Sequence, residues 1–88
     1  MRVVAVGPTE TLLGLMLGGI KERFETDEPS DAIEYLSGLA AKETSCLIII
    51  ASGIFKEIED EIGEIQERRR SFIFYEFSGG RLKWRQQQ

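Results

Sequence analysis

Two side chains stand where a sheet could present a nucleophile, Cys46 and Ser52. Either would need a general base to take its proton, and histidine, the usual base, is absent from the chain. Cys46 sits inside an apolar run, Ser45-Cys46-Leu47-Ile48-Ile49-Ile50-Ala51, and reads as core. Carboxylates are more numerous, with Glu57, Glu59, Asp60, Glu61, Glu64 and Glu67 in one helical stretch. They fill the faces left over by Ile54, Ile58, Ile62 and Ile65, so they belong to a solvated surface with no apolar hollow to raise a carboxyl pKa. With no histidine and one cysteine, zinc and other imidazole-based metal sites are excluded. No catalytic, cofactor-binding or metal-ligating residue is therefore assigned.

Anion chemistry is the next class to weigh. In an open parallel sheet, ligands bind at the carboxyl ends of the strands where the strand order reverses. That crevice should hold Gly7, Pro8 and Thr9 with Ala51, Ser52 and Gly53. Gly7-Pro8-Thr9-Glu10-Thr11-Leu12 lacks the glycine-rich turn of a dinucleotide site, and no Walker lysine is present. A phospho-receiver needs a carboxylate at the end of the third strand beside bound magnesium, and Ala51-Ser52 stands there instead. Helix starts at Thr9 and Ser52 offer free backbone N–H groups, so a small anion or nucleotide in the Gly7/Ser52 crevice stays open as an alternative, with simple capping the plainer reading.

Charge is split along the chain. Residues 1–67 carry five basic and fourteen acidic side chains, residues 68–88 six and one. Arg68, Arg69, Arg70, Arg81, Lys83 and Arg85 around Trp84 would suit phosphate contacts with base stacking, but the acidic body opposes a nucleic-acid role. The arginine run has a local purpose, because positive charge at a helix C-terminus complements the dipole.

The elements that position these groups follow from hydrophobic patterning. Arg2-Val3-Val4-Ala5-Val6-Gly7 and the run through Ile50 are continuous apolar segments, the pattern of parallel strands buried on both faces. Between them, Thr9 caps a helix whose apolar residues Leu12, Leu13, Leu15, Met16 and Leu17 go almost all the way round, so it is expected to be buried on more than one side. Gly14 and Gly18 would allow a tight fit there, and Gly14→Val should damage folding by crowding; a partner surface is the other reading. Residues 23–26 make a short edge strand, and Pro29 opens a helix over Ala32, Ile33, Leu36 and Leu39. Ser52 caps a third helix running to the arginines. Residues 71–77 form strand four, and Gly79-Gly80 turns the chain into a short antiparallel strand. The order β-α-β-α-β-α-β gives an α/β fold, a small four-stranded parallel sheet in the order 2-1-3-4 with helices on both faces.

Eighty-eight residues suit one core, so residues 1–88 are expected to form a single α/β domain with a basic hairpin or tail from about 78, frayed at 86–88. The longest apolar run, residues 12–20, is broken by glycines and far shorter than the ~20 residues of a bilayer span, and the N-terminus lacks a signal-peptide cleavage pattern. No membrane insertion and a cytoplasmic location are expected.

Val3-Val4-Ala5-Val6-Gly7, then Gly14-Leu15-Met16-Leu17-Gly18-Gly19-Ile20, then Cys46-Leu47-Ile48-Ile49-Ile50 followed by Ile54-Phe55-Lys56-Glu57-Ile58 resemble the F-subunit family of V-type/A-type ATP synthases. The likeness runs from residue 1 to about 77. It implies a non-catalytic component of the central rotor stalk that binds the coiled-coil D subunit and other rotary ATPase subunits, and helps couple nucleotide turnover to ion transport. That family continues after strand four into a C-terminal helix, whereas here Ser78-Gly79-Gly80 leads to a short basic segment, as in a divergent or shortened member. Phe77, Leu82 and Trp84 are the candidate partner-binding residues, because large apolar and aromatic side chains dominate interface energy. The alternative for each is packing back on strand four.

Overall fold

Five strands form one sheet in the computed structural model, which describes residues 1–85. Strand β1 (Arg2–Gly7) and strand β3 (Cys46–Ala51) lie parallel at its centre, with Val4 beside Ile48 and Val6 beside Ile50. β2 (Arg23–Glu25) flanks β1 and β4 (Phe72–Ser78) flanks β3, both parallel, which gives the expected order 2-1-3-4. β5 (Arg81–Arg85) returns antiparallel along β4. Gly79 and Gly80 have φ of 57° and 77°, the paired positive values of a two-residue hairpin turn that glycine adopts without strain. The fraying expected at 86–88 lies outside the described residues.

Alternation along the strands sends side chains to two unequal layers. On one face, α2 (Pro29–Lys42), α3 (Ser52–Glu57) and α4 (Glu59–Arg68) bring Leu36, Leu39, Phe55, Ile58, Ile62 and Ile65 against Val4, Val6, Ile48, Ile50, Phe72 and Phe74. Cys46 is fully buried here, and burial pushes its thiol pKa up, as befits a core residue. Phe24 stacks on Tyr35 at 4.4 Å, with ring planes 6° apart, and so ties edge strand β2 to α2. On the other face, α1 (Thr9–Leu17) lays Leu12 and Leu15 on Ala5 and Ile49. Among the described residues, no helix is long and apolar enough to cross a membrane.

Four expectations are corrected. The third helix is two helices, broken at Ile58 (φ −120°, ψ 22°), whose N–H is shared between the carbonyls of Ile54 and Phe55. On both sides of the break the isoleucines Ile54, Ile58, Ile62 and Ile65 pack into the same core. Secondly, α1 is buried on one side only, with Leu13 53% and Leu17 92% exposed. Thirdly, a side chain at Gly14 would meet nothing within 4 Å, so the crowding expected there does not exist within the chain. Finally, Thr9 and Ser52 are the first helical residues rather than caps; Pro8 and Ala51 hold the capping positions, and neither makes a side-chain cap bond.

Candidate functional site

The carboxyl ends of β1, β3 and β4 open into a cleft of about 740 Å3, lined by Pro8, Thr11, Asp27, Pro29, Ala51, Ser52, Gly53, Ile54, Glu57, Phe77, Ser78 and Gly79. Four of the six residues assigned to the crevice are in it, and Gly7 and Thr9 are not. Gly7 instead keeps β1 close to β3: a Cβ there would come 2.7 Å from the Ala51 Cβ, so any side chain would wedge the two strands apart. Thr9 turns away and donates its hydroxyl to Glu25 Oε1 at 2.9 Å. The Arg23 guanidinium, and after it this hydroxyl, hold the Glu25 carboxyl below its usual pKa.

Ser52 Oγ donates to Glu76 Oε2 at 2.7 Å, and Glu76 is 5% exposed on β4. The serine therefore gives a buried carboxyl group a hydrogen-bond partner. The ionisable side chains that line the cleft are Asp27 and Glu57, so an entering anion meets like charge. Nothing in the sequence pattern flagged Glu76. The available signal was its place in Phe72-Ile73-Phe74-Tyr75-Glu76-Phe77, where alternation puts it in line with Phe72 and Phe74.

The arginine run also has a structural use. Arg69 Nε donates to the Ala40 carbonyl at 2.7 Å, a bond to an end-of-helix carbonyl of α2 that is otherwise without an intrahelical partner. At the opposite end of the sheet, Arg2 bonds both Glu22 and Glu43, with Nη1 to Glu43 Oε2 at 3.0 Å. Arg2 thereby holds the Glu22 carboxyl below its usual pKa.

The hairpin brings the three candidate partner residues together. Leu82 lies opposite Phe77 and Trp84 opposite Tyr75. Residues directly opposite share a sheet face, and Tyr75 and Phe77 pack at the edge of the α1-side cluster, so all four side chains are on that face. Leu82 is 47% and Trp84 60% exposed. Packing back on β4 therefore accounts for only part of their surface, and an apolar strip remains open to solvent.

A fold of this class serves many functions, so the decision comes from comparison with known proteins. The model of the ATP synthase (F/14-kDa) subunit family matches residues 3–79. The chain belongs to that family. It is also 31% identical over 67 residues to the F subunit of the A-type ATP synthase of Methanocaldococcus jannaschii, a match that spans 76% of this chain and 68% of that protein. No solved structure shows a significant match. The family match takes in β1 to β4 and reaches the hairpin turn at Gly79, so Leu82 and Trp84 on β5 fall beyond it. The assignment to an ATP synthase thus rests on the parallel part of the sheet, and other subunits of such a complex are the implied partners.

Proposed function

We propose that this chain is a non-catalytic component of the central rotor stalk of a V-type/A-type ATP synthase. It binds the coiled-coil D subunit of the stalk, sits at the cytoplasmic side as a peripheral part of the complex, and turns with the stalk as a rigid body that helps couple nucleotide turnover to ion transport. Membership of the F-subunit family carries this reading. The open strip of Phe77, Leu82 and Trp84 supports it with a contact surface of the right chemistry, since exposed apolar strips rimmed by polar residues mark interaction sites. The acid-lined cleft supports it by offering phosphate no favourable field.

The test is calorimetric titration of the full chain with the coiled-coil stalk protein of the same source, at two salt concentrations. One-to-one binding that changes little with salt is expected for an apolar contact. Absence of binding to that protein, or binding that collapses with salt as phosphate contacts do, would overturn the reading.

A further inference from the structure

The hairpin adds to the parallel sheet a strand that ends it. β5 stands last in the order β2-β1-β3-β4-β5, so one of its two edges faces away from the sheet. The turn fixes which backbone groups lie on that edge. Gly79 and Gly80, both at positive φ, form a two-residue turn closed by Ser78 and Arg81, and in such a turn the fourth residue donates its N–H to the carbonyl of the first. Arg81 therefore points its backbone groups at β4. Ladder bonds alternate along an antiparallel strand, so Lys83 does the same, while the N–H and C=O of Leu82 and Trp84 point outward. No turn or loop bond among the described residues uses them.

Side chains on this strand are sorted as its backbone is. Register sets Arg81 opposite Ser78 and Lys83 opposite Glu76, in line with Phe72 and Phe74 on the face toward α2, α3 and α4. Leu82 and Trp84 lie on the other face. Arg81 and Lys83 are both exposed, and the ion pairs among the described residues are made by Arg2 and Arg23 instead. A second copy of this edge is a poor match. Two β5 strands laid antiparallel and bonded through Leu82 and Trp84 set basic residues opposite basic ones in every register, and like charges directly opposite are destabilising.

We propose that the open edge of β5 accepts an extended segment of a partner protein as a further strand, one whose residues alternate between carboxylates and apolar side chains. Its backbone bonds the outward groups of Leu82 and Trp84. Its carboxylates stand beside Arg81 and Lys83 on one face, and its apolar side chains continue Leu82 and Trp84 on the other. Basic residues on an edge discourage wrong pairing, so the same two charges turn away a second copy and admit an acidic strand. The site is separate from the coiled-coil contact, because a helix cannot join a ladder. β5 also lies beyond the family match at residues 3–79, so the proposal does not rest on the stalk reading.

The probe is a capped peptide of about seven residues that alternates glutamate with valine, offered to the full chain beside two controls. One control has lysine in place of glutamate, and the other has the same residues with glutamates and valines in separate blocks. Amide hydrogen exchange, read residue by residue, should show protection at Leu82 and Trp84 and none added at Lys83, whose N–H is already bonded to β4. The alternating glutamate peptide should bind about tenfold or more tightly than either control. Leu82→Pro removes an outward N–H that the β4 ladder does not use, so it should keep the parent melting profile and abolish binding. Arg81→Gln with Lys83→Gln should bring the glutamate and lysine peptides within about twofold of each other, and this double variant carries the test if the proline variant does not fold. Absence of protection at Leu82 and Trp84 at about 1 mM peptide overturns the proposal. So does a block or lysine peptide that binds the parent chain as tightly as the alternating glutamate one. Sedimentation of the chain alone adds one outcome, since a dimer that Leu82→Pro dissociates would give the edge to a second copy. None of these results bears on the coiled-coil titration, so the two readings fail separately.

Discussion

Strand β4 runs between two different environments within seven residues. Phe72, Phe74 and Glu76 are buried toward α2, α3 and α4, whereas Ile73, Tyr75 and Phe77 are half-buried toward α1. The backbone and its ladder to β3 are common to both sets, so the difference comes from what covers each face. The fully covered face supplies the apolar burial that stabilises the fold. The partly covered face has large side chains whose burial is incomplete, and an interface can use that remainder.

Phe74→Ala tests the covered face with the largest effect. Phe74 is fully buried at the centre of that core, and truncating such a ring costs about 3–5 kcal/mol. That is a large fraction of the ~5–15 kcal/mol that keeps a small fold native, so urea denaturation should show a deep loss of midpoint or outright unfolding. Gly7→Ala comes next. Its methyl would stand 2.7 Å from the Ala51 Cβ between two backbones that cannot both give way, for about 1–3 kcal/mol in the same assay.

Trp84→Ala probes the other face, and the comparison predicts a reversal of effect. Trp84 is 60% exposed and its main neighbour is the cross-strand Tyr75, a pairing that contributes under about 1 kcal/mol. The free chain should therefore melt almost as the parent does while losing partner affinity. A destabilisation as large as that of Phe74→Ala would mean that the two faces are energetically alike and that the open strip is fold, not interface.

Continuous apolar strands made the parallel part of this sheet legible in the sequence. Val4 to Val6 and Ile48 to Ile50 are runs that a covered sheet centre buries, and Gly79-Gly80 supplies the two positive φ values of a tight hairpin turn. Two features were not legible. Nothing in Lys56-Glu57-Ile58-Glu59-Asp60 breaks a helix locally, and a straight helix would hold all four isoleucines on one stripe, so the bend leaves no mark in the pattern. The exposure of Leu13 and Leu17 was hidden for a different reason. An all-apolar helix reads as buried whether its cover comes from its own chain or from another, and sequence pattern cannot assign the owner. The same ambiguity turned Gly14 from an expected internal contact into open surface, where a Cβ meets nothing within 4 Å. For Phe77, Leu82 and Trp84, residue type named the strip, but their common face came from the β4–β5 register.

The smallest expected effect belongs to neither face but to the end of the sheet, where Arg2 joins Glu22 to Glu43. Hydrogen bonding to Arg2 lowers the Glu22 pKa from its ordinary 4.5, so the unfolded chain takes up this proton at a higher pH than the native one does. By linkage, the stabilisation from the pair is fully present above pH 4.5 and is lost as the pH falls through the depressed native value. Both partners are about a third or more exposed, so solvent screens the pair and the loss is slight. Melting curves taken downward from pH 6 should show a shallow decline that begins near the ordinary carboxylate range, and Glu22→Gln should lower the plateau while flattening that part of the slope. An unchanged acid slope in Glu22→Gln would assign the decline to other carboxylates, Glu25 first, whose pKa is lowered in the same direction by Arg23 and Thr9. Either result leaves both faces intact, because this pair fixes how β1, α2 and the segment before β2 meet and touches neither the core of Phe74 nor the strip of Trp84.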